Sequence, residues 1–264
     1  ITEEGRLSWT GIAVAELTRG ETVLRPGVRL LGNDLEDVDR RRVVAALETW
    51  SKARIAQDMK PLLALEQKSG LSGPARGLVF QLQESFGNLP RQGLEELISS
   101  LTRPDRQALR RAGVKIGAWS VFVPALQKAR RAALCGLLWN VFQQPESPVL
   151  SLPAGRVSLP LDPSVPLDWY AACGYRPFGD LVVRDDIIER LADLLRTFEN
   201  TPFAMSPDML SLPGCSREAM LPILEGLGYV MAEAAADGTA MFRRPSLNER
   251  KRLARKTERK AQKA

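Results

Sequence analysis

The sequence predicts a mainly α-helical fold with small β elements, an α+β chain, and three observations carry that expectation. Apolar residues recur at helical spacing over several long stretches, short alternating runs punctuated by glycine and proline open the chain, and a helix–short helix–turn–helix–hairpin order closes its folded part. Together they give an N-terminal β-meander, a helical bundle and a C-terminal winged-helix-like unit.

Residues 1–32 form the meander. Leu7, Trp9, Ile12, Val14 and Leu17 are separated by small or polar residues, and Gly11, Gly20 and Pro26-Gly27 mark turns. Val23-Leu24 and residues 28–30 supply further short strands. Trp9 is assigned to the core, in preference to a base-stacking platform.

Residues 33–142 form a helical bundle with one strand. Asn33 or Asp34 is placed to cap the first helix, and Asp34, Glu36 and Asp37 suit the positive end of its dipole. Val43, Val44, Leu47, Trp50, Ile55, Met59, Leu62, Leu63 and Leu65 follow at helical spacing; Pro61 divides or kinks this run and Gly70 ends it. Helices are expected over 74–85, 91–101 and 104–112, the last opening on Pro104, which a first turn tolerates. Residues 114–124 alternate as a strand that Gly117 weakens. Pro124 then opens a helix over 125–142, with Leu126, Leu134, Leu137, Leu138 and Val141 inward.

Residues 143–166 hold six prolines and little periodicity, which marks a linker. Residues 156–160 could be a short strand within it. The winged-helix-like domain covers 167–244. Its helix over 185–198 turns Ile187, Ile188, Leu191, Leu194 and Leu195 inward. A helical turn at 207–210 follows, then a helix over 216–227 capped by Ser216 and stopped by Gly228. Residues 229–232 and 239–242 pair as a hairpin around Ala236-Asp237-Gly238. Residues 245–264 are a basic tail.

Charge is concentrated at that end. The chain carries a net +6, yet residues 243–264 hold ten Lys/Arg against Glu249 and Glu258, a net +8, which leaves −2 for residues 1–242. A polyanion such as nucleic acid is the natural partner of such a segment, and a solubilising tail is the plain alternative. No apolar run approaches the roughly 20 residues of a membrane-spanning helix, so no membrane role is expected. The start, Ile1-Thr2-Glu3-Glu4, has neither an initiator Met nor a secretion signal and reads as cut from something longer.

Catalytic patterns are missing at the level of residue type. With no histidine, a Ser-His-Asp or Cys-His site is excluded, and the commonest general base near neutral pH is absent. Cys135, Cys173 and Cys215 are widely spaced, too few for a thiolate–imidazole zinc site, and are read as reduced, buried small hydrophobes of a cytoplasmic compartment. The glycine-rich run 70–77 lacks the lysine of a phosphate loop and loses an amide to Pro74, so it is read as a turn into a helix. Glu95-Glu96 and Asp185-Asp186 open or line helices and are read as solvated charge. No self-sufficient catalytic centre, cofactor or metal is therefore expected in this chain itself.

Three blocks carry a resemblance. Residues 113–117 (Gly-Val-Lys-Ile-Gly), 121–126 (Val-Phe-Val-Pro-Ala-Leu) and 133–139 (Ala-Leu-Cys-Gly-Leu-Leu-Trp) resemble a region C-terminal to the motor of bacterial DExH RNA helicases of superfamily 2, relatives of the mitochondrial degradosome helicase. Residues 5–9 with 23–26, and 73–78, are similar to the same region, so the resemblance covers most of 5–244. Gln127-Lys128-Ala129 stands where the family has Leu-Lys-Pro. The resemblance implies an accessory C-terminal region of an ATP-dependent helicase, whose ATP and Mg would belong to motor domains this chain does not include; none of its motifs is catalytic.

The expected function is thus nucleic-acid binding, with single-stranded RNA gripped through nonspecific phosphate contacts. The contacting residues are expected to be Lys115, Lys128, Arg130 and Arg131 around the Pro124 junction, and Arg243, Arg244, Arg250, Lys251, Arg252, Arg255, Lys256, Arg259 and Lys260 at the C-terminal end. Two alternatives stand beside it. One is a scaffold docking a nuclease or ribosome-associated protein partner, and the other a winged-helix DNA-binding regulator. The exposed face of the helix over 216–227 argues against the latter, since it offers Arg217, Glu218, Pro222 and Glu225 to a groove.

Overall fold

A computed structural model describes residues 1–32, 35–67, 70–148, 152–153, 155–198, 201–235, 237–246 and 249. The fold is α+β. The chain divides into two compact units. The first comprises Ile1–Arg156, Asp162–Arg176 and Arg184–Asp186, and the second comprises Val157–Leu161, Pro177–Val183 and the chain from Ile187 onward.

The first unit opens on an antiparallel meander, β1 (Arg6–Trp9), β2 (Ile12–Thr22) and β3 (Arg25–Leu30), in the order β1-β2-β3. Its inner face is Leu7, Ala15, Leu17 and Val28, with Leu47 and Val141 packed against it. Trp9 does not join that core: it is 73% exposed, because the strand carries it past the end of the helical cover.

α1 (Asp37–Asp58) and α2 (Lys60–Glu66) break at Met59, two residues before Pro61, since proline fits the first turn of the second helix. The expected caps Asn33 and Asp34 lie outside the described residues; α1 starts after Glu36. Of the periodic apolar residues, Ile55, Met59, Leu62 and Leu65 are buried, whereas Val43 and Trp50 stay exposed on the flank of α1.

α3 (Gly73–Glu84), β4 (Asn88–Pro90), α4 (Glu95–Ser99) and α5 (Arg103–Arg111) follow. The glycine-rich run is indeed a turn into α3, capped by Ser72. One carboxylate organises this region. Asp105 accepts from the Thr102 hydroxyl (2.6 Å) and amide (3.0 Å) and from the Ser72 amide (3.0 Å) and hydroxyl (2.8 Å), joining the N-termini of α3 and α5. These donors, the Thr102 hydroxyl first, hold its carboxyl far below the usual carboxylate range. A depressed folded pKa contributes stability that is fully present above the unfolded value of about 4 and is lost progressively as pH falls from there through the much lower folded value. Asp105→Asn is expected to lower Tm by several degrees at pH 7, by somewhat less at pH 3 and by clearly less at pH 2, measured by circular dichroism; equal shifts at pH 7 and pH 2 would contradict this.

The single strand expected over 114–124 is two: β5 (Lys115–Ile116) and β6 (Ser120–Phe122) fold back on each other, and β6 also pairs with β4. The small residues Gly117 and Ala118 supply the reversal, closed by the Gly117 amide donating to Ser120 O at 2.8 Å. A 3₁₀ turn over Pro124–Gln127 leads into α6 (Ala129–Gln143).

β7 (Ser158–Pro160), α7 (Leu167–Ala172), β8 (Tyr175–Phe178) and β9 (Leu181–Arg184) come next, and the chain changes unit inside the last two strands. In the first unit α7 lies against α6. There the Trp169 indole donates to Gly136 O at 3.1 Å, and a Cβ on Gly136 would sit 2.8 Å from Cys173 Sγ. Cys135 and Cys173 are buried, as expected of small hydrophobes, and desolvation pushes the Cys135 thiol up to about 12. Cys215 is half-buried, and all three are unpaired.

α8 (Asp185–Leu195), β10 (Phe203–Ala204), α9 (Pro207–Ser211), α10 (Arg217–Gly226), β11 (Val230–Met231) and β12 (Met241–Arg243) complete the described elements. The strands form a sheet in the order β10-β12-β11, with antiparallel pairing throughout. Residue 236 of the expected hairpin turn lies outside the described residues. Phe203 centres the second unit's core, its ring 5.1 Å from Phe198, 5.5 Å from Tyr229 and 6.1 Å from Phe242.

Asp185-Asp186 is not the solvated pair expected. Asp185 is fully buried and accepts from Arg176 Nε at 2.9 Å, and Asp186 takes both Nε and Nη2 of Arg184 at 2.6 and 2.9 Å. Position at a helix start cannot by itself distinguish a solvated carboxylate from one buried against an arginine nine residues away.

Candidate nucleic-acid interface

The first basic group sits where the 3₁₀ turn over Pro124–Gln127 meets α6. Lys128 precedes the helix and is exposed. Arg130 is 63% exposed on its side chain and pairs with Asp58 Oδ2 at 3.0 Å; such a surface pair holds weakly and remains open to a competing anion. Arg131 is different. Its Nε donates to Asp58 O and its Nη1 to Ala125 O, both at 2.9 Å, so it ties the end of α1 to the turn before α6. Lys115, on β5, is half-buried and engaged. The sequence thus brings Lys128 and Arg130 to an accessible corner, while Arg131 is a structural brace.

A cleft of about 190 Å³ adjoins Arg130, lined also by Arg54, Asp58 and Glu3. Two guanidinium groups against two carboxylates leave it without the excess of positive charge an anion pocket needs.

The second group lies in the other unit. Arg243 ends β12 and makes a two-pronged contact with Glu249, Nη1 to Oε2 and Nη2 to Oε1 at 2.8 Å each. The guanidinium pulls the Glu249 carboxyl down to about 2, with the Ser246 amide assisting. Ser246 and Glu249 exchange bonds in the pattern of a capping box: Ser246 N donates to Oε2 at 2.8 Å and Glu249 N to the hydroxyl at 3.3 Å. Arg243 is therefore committed to fastening the start of the tail, a role the Ser246-x-x-Glu249 spacing could have signalled. Arg244 is exposed and engaged. Arg250, Lys251, Arg252, Arg255, Lys256, Arg259 and Lys260 lie outside the described residues.

On α10 the Arg217, Glu218 and Glu225 side chains are exposed, while Pro222 is half-buried, close against Gly179. Among the described residues no group of three or more His, Cys, Asp or Glu side chains converges on a point, and no helix is long and apolar enough to cross a membrane. Comparison with protein-family models, with curated proteins and with solved structures gave no match.

Proposed function

We propose that this chain is a nucleic-acid-binding accessory region of an ATP-dependent RNA helicase, gripping single-stranded RNA through nonspecific phosphate contacts. The observation that carries the reading is the segregation of charge: a net +8 over residues 243–264 against −2 for the rest. The capping box at Ser246 and Glu249, braced by Arg243, supports it by giving the basic segment a fixed starting point. Helicase parentage rests on the resemblance of residues 113–117, 121–126 and 133–139, and any ATP chemistry would belong to the motor.

The succession α8, β10, α9, α10, β11, β12, with β12 central in its sheet, is the order of a winged helix and supports a winged-helix-like reading of this part. Glu218 and Glu225 on the outward side of α10 weigh against duplex readout there, and hence against a DNA-binding regulator. A protein scaffold is the second reading; Phe80 and Trp50 are exposed apolar side chains, at 63% and 48%, and a partner shown to cover them would favour it.

Fluorescence anisotropy with labelled single-stranded RNA tests the proposal. Changing Arg250, Lys251, Arg252, Arg255, Lys256, Arg259 and Lys260 to Gln is expected to weaken binding more than tenfold at low salt. It should also flatten the log K against log salt slope by roughly 0.7 for each phosphate contact removed. Equal affinity and equal slope in both proteins would sink the tail's role.

A further inference from the structure

The hairpin between β1 and β2 ends in Trp9-Thr10-Gly11-Ile12. Thr10 (φ 49°) and Gly11 (φ 86°) take the pair of left-handed conformations that a tight two-residue hairpin turn requires, and the Thr10 hydroxyl donates to Trp9 O at 2.8 Å. Trp9 and Ile12 are the register pair beside the turn, so their side chains leave the sheet on one face. They are 73% and 69% exposed, the two highest values for large apolar side chains among the described residues. Leu7, two residues before Trp9 and on the same side of β1, is 1% exposed. The meander's apolar face therefore runs on past its cover and ends in a bare indole on a short, stiff support.

We propose that Trp9 is a base-stacking platform for single-stranded RNA, with Ile12 as the apolar surface beside it; this rests on the reading of the chain as RNA-binding. Size favours a base over a protein. A stable protein interface buries about 1,200 Å² or more in total, whereas an aromatic side chain offers about 150–250 Å². One nucleobase needs no more than an indole face, and any base will serve. Charge points the same way, because a tail of net +8 attracts polyanions to this chain. The meander adds little charge of its own: Arg6 pairs with Glu4 at 3.4 Å and Arg29 with Glu16. Contact at the tip is consequently stacking, with phosphate attraction left to other residues.

The division of labour gives the test. Full-length protein is titrated into single-stranded RNA carrying one 2-aminopurine, whose fluorescence is quenched on stacking, at several salt concentrations. Trp9→Ala is expected to weaken binding on the order of tenfold, to abolish the quench and to leave the salt slope unchanged; Trp9→Phe retains most of both signals. An unchanged Tm in Trp9→Ala confirms that the fold is intact, as its exposure requires. If the parent chain binds no RNA, the reading of its function fails. If it binds and Trp9→Ala matches it in affinity and quench, the stacking proposal fails and the tip falls to a protein partner.

Discussion

Replacing Arg176 with Met is expected to destabilise the first unit by about 3–5 kcal/mol, the usual cost of removing one member of a buried ion pair. The reason lies in Asp185, which is fully buried and takes Arg176 Nε at 2.9 Å. Arg176 itself is only 24% exposed on its side chain, so water replaces little of what the guanidinium supplies. The result should be a shift of the urea midpoint followed by tryptophan fluorescence. Adding Asp185→Asn removes the buried charge and should recover part of the loss. A double variant no more stable than Arg176→Met would show that the charge is not what the arginine compensates.

Trp169→Ala should cost a similar amount, about 3–5 kcal/mol for a large aromatic removed from a packed site. Trp169 is 2% exposed, meets Tyr170 edge-on at 5.6 Å and donates its indole N–H to Gly136 O. The ring fits because residue 136 has no side chain: a Cβ there would lie 3.0 Å from the indole and 2.8 Å from Cys173 Sγ. Gly136→Ala is accordingly expected to cost about 1–3 kcal/mol by overpacking. In a Trp169→Ala background that penalty should shrink, because the obstructing ring is gone. Urea titrations of the two single variants and the double variant, followed by far-ultraviolet circular dichroism, measure the coupling; strict additivity would refute the contact as its cause.

Helices were legible where apolar spacing and chemistry at their ends agreed. Ser216 caps α10 as its position suggests, and Pro61 falls at the start of α2 because proline fits there. What stayed hidden depends on partners far away in sequence. Asn88 becomes strand only by pairing with Phe122, and nothing local announces this. Trp9 shows the limit most clearly, since alternation puts it on the apolar face but not under the helices that cover Leu7. Among the basic residues, sequence reports charge but not engagement. Arg130 and Arg131 are neighbours, yet one is a loose surface pair and the other is bonded to two carbonyls. Arg243 reads as a phosphate contact until Glu249, six residues on, is seen to hold it.

The way the chain is shared between its two units has a consequence for anyone cutting it. The first unit reclaims Asp162–Arg176 and Arg184–Asp186 after the second has begun at Val157. A break before Asp186 therefore takes something from the first unit, and a break after Val157 takes something from the second. No single stop codon, protease site or fusion joint between them leaves both whole. A dissection of its functions therefore has to proceed by substitution in the intact chain.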